Sequence, residues 1–193
     1  RMFDMMSQRI FGNDSTQSLS KENFLAGFMA ALQKKGMNVT MEEANAYVQS
    51  KAEAIKEKAT EAQFAENKAA GEKFLAENAK KEGVKTTPSG LQYKVIKEGN
   101  GAIPTDSSKV KVNYKGTLID GTQFDSSYDR KEPTTFRANQ VIKGWTEALT
   151  MMPVGSKWEL YIPQDLAYGA REAGQIKPFS TLIFEVELVG IEK

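Results

Sequence analysis

The spacing of hydrophobic positions changes once along the chain. Phe3, Met6 and Ile10 recur at helical intervals before a polar loop of Gly12, Asn13, Asp14 and Ser15. Ser20 is then placed to cap a second helix whose Phe24, Leu25, Phe28, Met29 and Leu32 share one face, and Gly36 ends it. Thr40 followed by Glu43 has capping-box spacing. From there no proline interrupts an Ala-, Glu- and Lys-rich stretch up to Gly83, which predicts one helix of about 60 Å at 1.5 Å per residue. Met41, Ala44, Val48, Ala52 and Ile55 stripe its first turns. Between Lys56 and Gly71 the only large apolar residue is Phe64, so the far part of this helix is expected to face water.

In the second half the period becomes two. Val110, Val112 and Tyr114 alternate with Lys109, Lys111, Asn113 and Lys115, and Leu182, Phe184, Val186 and Leu188 alternate likewise, as antiparallel strands with one buried face do. Leu91, Tyr93 and Val95 repeat the pattern, as do Trp158, Leu160 and Ile162. Among these strands Val141 to Met152 reads as a short helix, stopped by Pro153 and Gly155. The fold class is therefore α+β, an all-helical first half followed by a curved antiparallel sheet wrapped around one short helix.

Composition sharpens the division. All six prolines lie at or after Pro88, 14 of 20 alanines lie before it, and aromatic residues number seven before and eleven after. We divide the chain into a helical region at 1–39, a long connecting helix at 40–85 and a compact domain at 86–193. Two small helices and a long one leave more apolar surface than they can cover. A second copy of the chain, through Phe3, Met6, Ile10, Phe24, Phe28 and Met29, would cover it; folding back onto the second half is the alternative.

Charge and the missing residue types narrow the chemistry. With 26 Lys and Arg against 25 Asp and Glu, the net charge of +1 provides no field for nucleic acid. Cysteine and histidine are both absent, which removes thiol nucleophiles, imidazole bases and the usual zinc ligands. No metal or cofactor is expected. The longest apolar run, Phe24 to Leu32, is about half of what a helix needs to cross a bilayer, so no transmembrane segment is expected.

Five segments then point to a family: Val112-Asn-Tyr-Lys-Gly116, Asp120-Gly-Thr-Gln-Phe-Asp-Ser-Ser127, Val141-Ile-Lys-Gly-Trp145, Ala167-Tyr-Gly169 and Thr181-Leu-Ile-Phe-Glu-Val-Glu-Leu188. In order and spacing, residues 88 to 192 resemble FKBP-type peptidyl-prolyl cis-trans isomerases, and the first half is similar to the helical dimerisation region of bacterial Mip-like members. The resemblance implies a catalytic set of Phe124, Asp125, Trp145 and Tyr168. It makes Trp145 the floor of a pocket, with Tyr114, Phe124, Val141, Ile142, Tyr168, Ile176 and Phe184 as walls. It has Ile142 offer its N–H, and Tyr168 its hydroxyl, to substrate carbonyls, while Asp125 pairs with Arg130 and contacts Tyr114. Each has a plainer reading: Tyr114 and Phe184 alternate like ordinary core residues, and Arg130 could serve only to close its loop.

The implied reaction agrees with the missing residue types. Turning a prolyl bond means crossing a barrier of about 18–20 kcal/mol set by amide resonance, and no bond is made or broken. Such a catalyst needs no nucleophile, metal or neutral-pH base. It needs a dry, apolar cavity that favours the twisted, less polar amide over the planar one. The expected activity is prolyl isomerisation of folding polypeptides, with chaperone activity as a homodimer. A non-catalytic chaperone or ligand-binding module is the alternative, and a dimeric spacer a third reading that leaves the pocket without a use.

The chain departs from the family pattern in two places. Thr134 and Thr135 follow the Lys-Glu-Pro turn where an aromatic is common, with Phe136 further along, so one wall is expected to be thinner and macrolide inhibitors are weaker candidates as ligands. The loop from Gly169 to Pro178 is short. A chain starting at Arg1 without Met reads as a processed form, and absence of Cys fits a bacterial periplasm or cell envelope, with the cytoplasm as the alternative.

Overall fold

The structure, a computed structural model, describes residues 40–192. The expected helices of residues 1–39, and the apolar residues Phe3, Met6, Ile10, Phe24, Phe28 and Met29 assigned to a dimer interface, lie outside the described residues. The chain divides into two compact units, 1–57 and 58–193. In the first, Thr40 caps helix α1 (Met41–Gln63) as its spacing suggests: Thr40 N–H donates to Glu43 Oε2 at 2.8 Å and Glu43 N–H returns to Thr40 Oγ1 at 3.2 Å.

The expected single helix is interrupted. At Phe64 the backbone turns to φ −113°, ψ 24°, and a second helix, α2 (Ala65–Asn78), runs on to end five residues before Gly83. The bonds from Phe64 N–H to Thr60 O and from Lys68 N–H to Phe64 O keep the ladder joined across the break. Nor is the far part solvated all round. Asn67 and Lys68 are half-buried, Gly71 and Asn78 fully buried, and the four recur at helical spacing along one stripe. Phe74 and Leu75, also half-buried, lie on the same stripe, but its other positions are polar or small, so hydrophobic periodicity alone does not reveal it.

The remainder of the second unit is a seven-stranded antiparallel sheet. Its strands are β1 (Val84–Thr86), β2 (Gln92–Lys97), β3 (Lys109–Leu118), β4 (Gln123–Ser126), β5 (Thr134–Arg137), β6 (Lys157–Ile162) and β7 (Leu182–Glu192). They lie in the order β1-β2-β6-β7-β3-β4, and β5 pairs with β3 as well. β3 is paired with β7 along its whole length, from Lys109 opposite Glu192 to Leu118 opposite Leu182. On its other edge β5 takes Lys109–Val112 and β4 takes Lys115–Thr117, so those two short strands lie end to end, joined by the one-turn helix α3 (Ser127–Arg130).

The inner face carries the expected alternation. Val110, Val112, Tyr114, Trp158, Leu160, Ile162, Leu182, Phe184, Val186 and Leu188 are buried together with Trp145, Ala148 and Leu149 of helix α4 (Lys143–Leu149). α4 is shorter than the Val141–Met152 stretch because Ile142 is extended, at φ −57°, ψ 149°, and Thr150 closes the other end. A Cβ on Gly144 would stand 2.5 Å from Ile162, so glycine is what lets this helix lie so close to β6. The outer face is not uniformly solvated: α2 covers Gln92, Tyr161 and Thr181. Gln92 receives an amide N–H from Asn78 at 3.0 Å and donates to Leu75 O at 2.9 Å. Tyr161 packs 6.1 Å from Phe74, and burial pushes its phenol up to about 12, helped by neighbouring Glu159.

Candidate active site

One cavity of about 770 Å³ opens between the inner face of the sheet, the N-terminus of α4 and the loop of residues 169–178. Its floor is the indole of Trp145, 4% exposed. The rings of Tyr114, Phe136 and Phe184 stand against it at 83°, 86° and 85°, with centroids 5.2, 5.6 and 5.2 Å away. Each edge-to-face pair contributes about 0.5–1.5 kcal/mol beyond area burial, so the indole is fixed from three sides. Phe124 stands at 83° to Phe184, and a Cβ on Gly116 would come within 2.7 Å of both rings. Glycine in the middle of β3 is therefore what leaves room for two aromatic walls.

Local backbone irregularities aim the other groups. Opposite the Gly116–Thr117 step β4 carries one extra residue, Phe124, since Gly116 pairs with Asp125 and Thr117 with Gln123. A regular strand would turn Phe124 and Asp125 to opposite faces, and this bulge brings both to the cavity. The gap on the edge of β3 between β5 and β4 would leave Tyr114 N–H unpaired; the buried Ser127 fills it, its Oγ accepting that N–H at 2.8 Å. Ser127 thus fixes the strand position from which Tyr114 projects.

Behind the rings lies a three-membered polar cluster. Tyr114 Oη donates to Asp125 Oδ2 at 2.5 Å, while Arg130 donates through Nη1 to Asp125 Oδ1 at 2.6 Å and through Nη2 to Tyr114 Oη at 2.8 Å. Burial opposes ionisation of Asp125, yet the bonds from Tyr114 and Arg130 outweigh it and hold the carboxyl below the ordinary value of 3.8. Burial, reinforced by the adjacent carboxylate, pushes the Tyr114 phenol up from 10.0. Asp125 is therefore an anion and Tyr114 a neutral donor throughout the neutral range. With side chains 48% and 42% exposed, the Arg130–Asp125 pair adds little stability, typically about 0–1 kcal/mol. Its effect is to orient.

Of the residues singled out from the sequence, Phe124, Asp125, Trp145, Tyr168, Tyr114, Val141, Ile142, Ile176 and Phe184 all line this cavity, and Arg130 stands behind it on Asp125 and Tyr114. The carbonyl of Ile142 accepts from Trp145 N–H at 2.9 Å and Thr146 N–H at 3.2 Å, while its own N–H and the Tyr168 hydroxyl have no partner among the described residues. The aromatic displaced to Phe136 lines the cavity too, because Thr134 and Phe136 project from the same face of β5; Thr134 instead accepts a bond from Arg130 Nη2 at 3.4 Å. Gln140, Lys143 and Arg171 also line it. Nothing in the sequence marked them, since all three are exposed polar residues at loop or helix-end positions. Among the described residues no group of acidic side chains could hold a metal ion, and no helix is long and apolar enough to cross a membrane.

Comparison with known proteins gives the same picture from another direction. Residues 101–189 match the family described as FKBP-type peptidyl-prolyl cis-trans isomerase, and residues 3–95 match the domain amino terminal to FKBP-type peptidyl-prolyl isomerase. The chain is 52% identical over 179 residues to the FKBP-type 22 kDa peptidyl-prolyl cis-trans isomerase of Escherichia coli strain K12, covering 91% of this chain and 85% of that protein. It is 54% identical over 129 residues to the outer membrane protein MIP of Legionella longbeachae, covering 66% of this chain and 55% of that one. Among solved structures, FkpA from Escherichia coli superposes with a TM-score of 0.67 at 40% identity, over 99% of this chain and 89% of that one.

Proposed function

Because this chain belongs to the FKBP-type peptidyl-prolyl cis-trans isomerases, its reaction is rotation about Xaa-Pro bonds, and we propose that the aromatic cavity is where the bond turns. The observation that carries this is the Trp145 floor held perpendicular to three rings, with an unpartnered backbone N–H and hydroxyl at its rim. The proline ring enters over the indole. Ile142 N–H and Tyr168 Oη hold the carbonyls on either side of the bond, which fixes orientation and excludes water. As the amide twists, its nitrogen regains a lone pair and its carbonyl loses resonance polarity, so an apolar enclosure lowers the twisted state relative to the planar one. Asp125, kept ionised and aimed by Tyr114 and Arg130, supplies a fixed negative potential beside the strained bond.

The wider reading takes residues 1–39 as the dimerisation region, 40–85 as the connecting helix and 86–193 as the isomerase domain. The match of residues 3–95 to a dedicated amino-terminal domain supports it, as do Tyr47 and Ile55, each about half exposed on α1. Two arms holding an unfolded chain between them give chaperone activity by effective concentration. A periplasmic or envelope location is supported by the relative named as an outer membrane protein. Macrolide inhibitors would occupy the same cavity as the proline.

A protease-coupled assay on a short prolyl peptide tests the site. Trp145→Ala and Phe124→Ala should each lower kcat by about tenfold or more, beyond any rise in KM, because the contacts they remove are felt most by the twisted amide. Well-folded variants turning over the peptide at the parent rate would move the catalytic site elsewhere.

A further inference from the structure

The loop that forms one wall of the cavity is closed at its root by a strained residue. Phe179, a buried non-glycine residue, has φ 58°, in the left-handed region. Its N–H donates to Gly169 O at 2.7 Å, bringing the two ends of the loop together. Between them Ala173 and Ile176 exchange two 2.9 Å backbone bonds, and this small hairpin presents Ala173, Gln175 and Ile176 to the cavity. A bulky residue stays in such a conformation only when its surroundings over-determine it.

Helix α2 is the surrounding that does so. Asn67 Nδ2 donates to Pro178 O at 2.7 Å and to Ser180 Oγ at 3.0 Å, so one amide grips the chain on both sides of Phe179. Ser180 Oγ passes the constraint inward by donating to Lys177 O at 2.7 Å. Lys68 Nζ lies 5.8 Å from the centre of the Phe179 ring. A Cβ on Gly71 would collide with Thr181, so the helix lies as close to this segment as a backbone can. Every one of these contacts falls on residues 177–181, the C-terminal root of the loop.

We infer that Asn67, on the helix before the isomerase domain, is a positioning residue for the reaction, holding the 169–179 wall in place by clamping the backbone on either side of Phe179. The inference rests on the proposed site, because the wall matters only if proline binds beside it. Ile176 reaches the cavity only as far as the loop root is fixed, and without the clamp Phe179 can relax to negative φ and carry Gly169 with it.

The test uses the full chain with Asn67→Ala, Asn67→Asp and, as a control, Asn78→Ala, which removes an amide of the same helix bonded to Gln92 rather than to the loop. Asn67→Asp keeps the shape but replaces the donor with a carboxylate facing the Pro178 carbonyl. Both Asn67 variants should lose about five- to tenfold in kcat/KM on a prolyl peptide, and Asn78→Ala less than twofold. Amide hydrogen exchange at Ile176 and Phe179 should quicken by about tenfold in the Asn67 variants alone, with the amides of β3 and β7 unchanged. Unchanged exchange at Phe179, or faster exchange with full peptide turnover, overturns the inference. So does an equal activity loss in Asn78→Ala, which would mean general loosening. If the parent itself fails to turn over the peptide, the proposed site falls, and the exchange measurement still decides whether Asn67 clamps the loop.

Discussion

At the scale of single residues, Asp125 shows how little of the site depends on ordinary acid–base chemistry. Its carboxyl lies below the usual range, so any stability its interactions contribute is complete above the unfolded value of 3.8 and is lost as pH falls through the lower folded one. Turnover should accordingly be flat from neutral pH down to about 4 and fall only below that. Asp125→Asn keeps the shape and removes the charge. If the anion acts on the twisted bond, peptide assays will show a loss beyond about tenfold in kcat; a loss under about twofold would leave Asp125 an orienting group only. The ring-bearing residues were legible because Phe-Asp-Ser-Ser and Val-Ile-Lys-Gly-Trp are contiguous motifs. Ser127 stands inside one of them, yet its task of capping the bare Tyr114 N–H follows from a gap between two strands, and no local pattern encodes a gap. The bulge at Phe124 is hidden for the same reason: alternation alone would have sent Phe124 and Asp125 to opposite faces.

At the scale of elements, the strands of the inner face follow from period-two alternation almost residue for residue, because burial on one face is what that alternation records. α2 does not, because beside Phe74 it docks through Asn67, Gly71 and Asn78, and these read as solvated positions. Its cover over the outer face has a measurable signature. Burial holds the Tyr161 phenol neutral up to about 12, so its contribution to stability is complete below pH 10 and is lost as pH rises between 10 and about 12. Thermal unfolding across that range should show a smaller fall in Tm for Tyr161→Phe than for the parent; identical slopes would mean that the phenol is not shielded by the helix.

At the scale of the whole molecule, the chain's two compact units are residues 1–57 and 58–193. Light scattering at micromolar concentration should give twice the chain mass for the full protein and the single mass for residues 58–193, and Phe28→Glu should split the dimer, since an unpaired carboxylate in an apolar interface costs several kcal/mol. A full-length protein of single mass would remove the dimer. The cavity floor has one more consequence, for resistance to inhibitors. Tyr114, Trp145 and Phe184 are 5%, 4% and 6% exposed and belong to the core as much as to the site. A compound seated wholly on those three rings leaves its target few routes of escape, because substitutions that spoil the fit also hollow out the fold. A compound that draws its affinity from exposed Arg171 or Gln175 can be evaded by surface changes that cost the protein almost nothing.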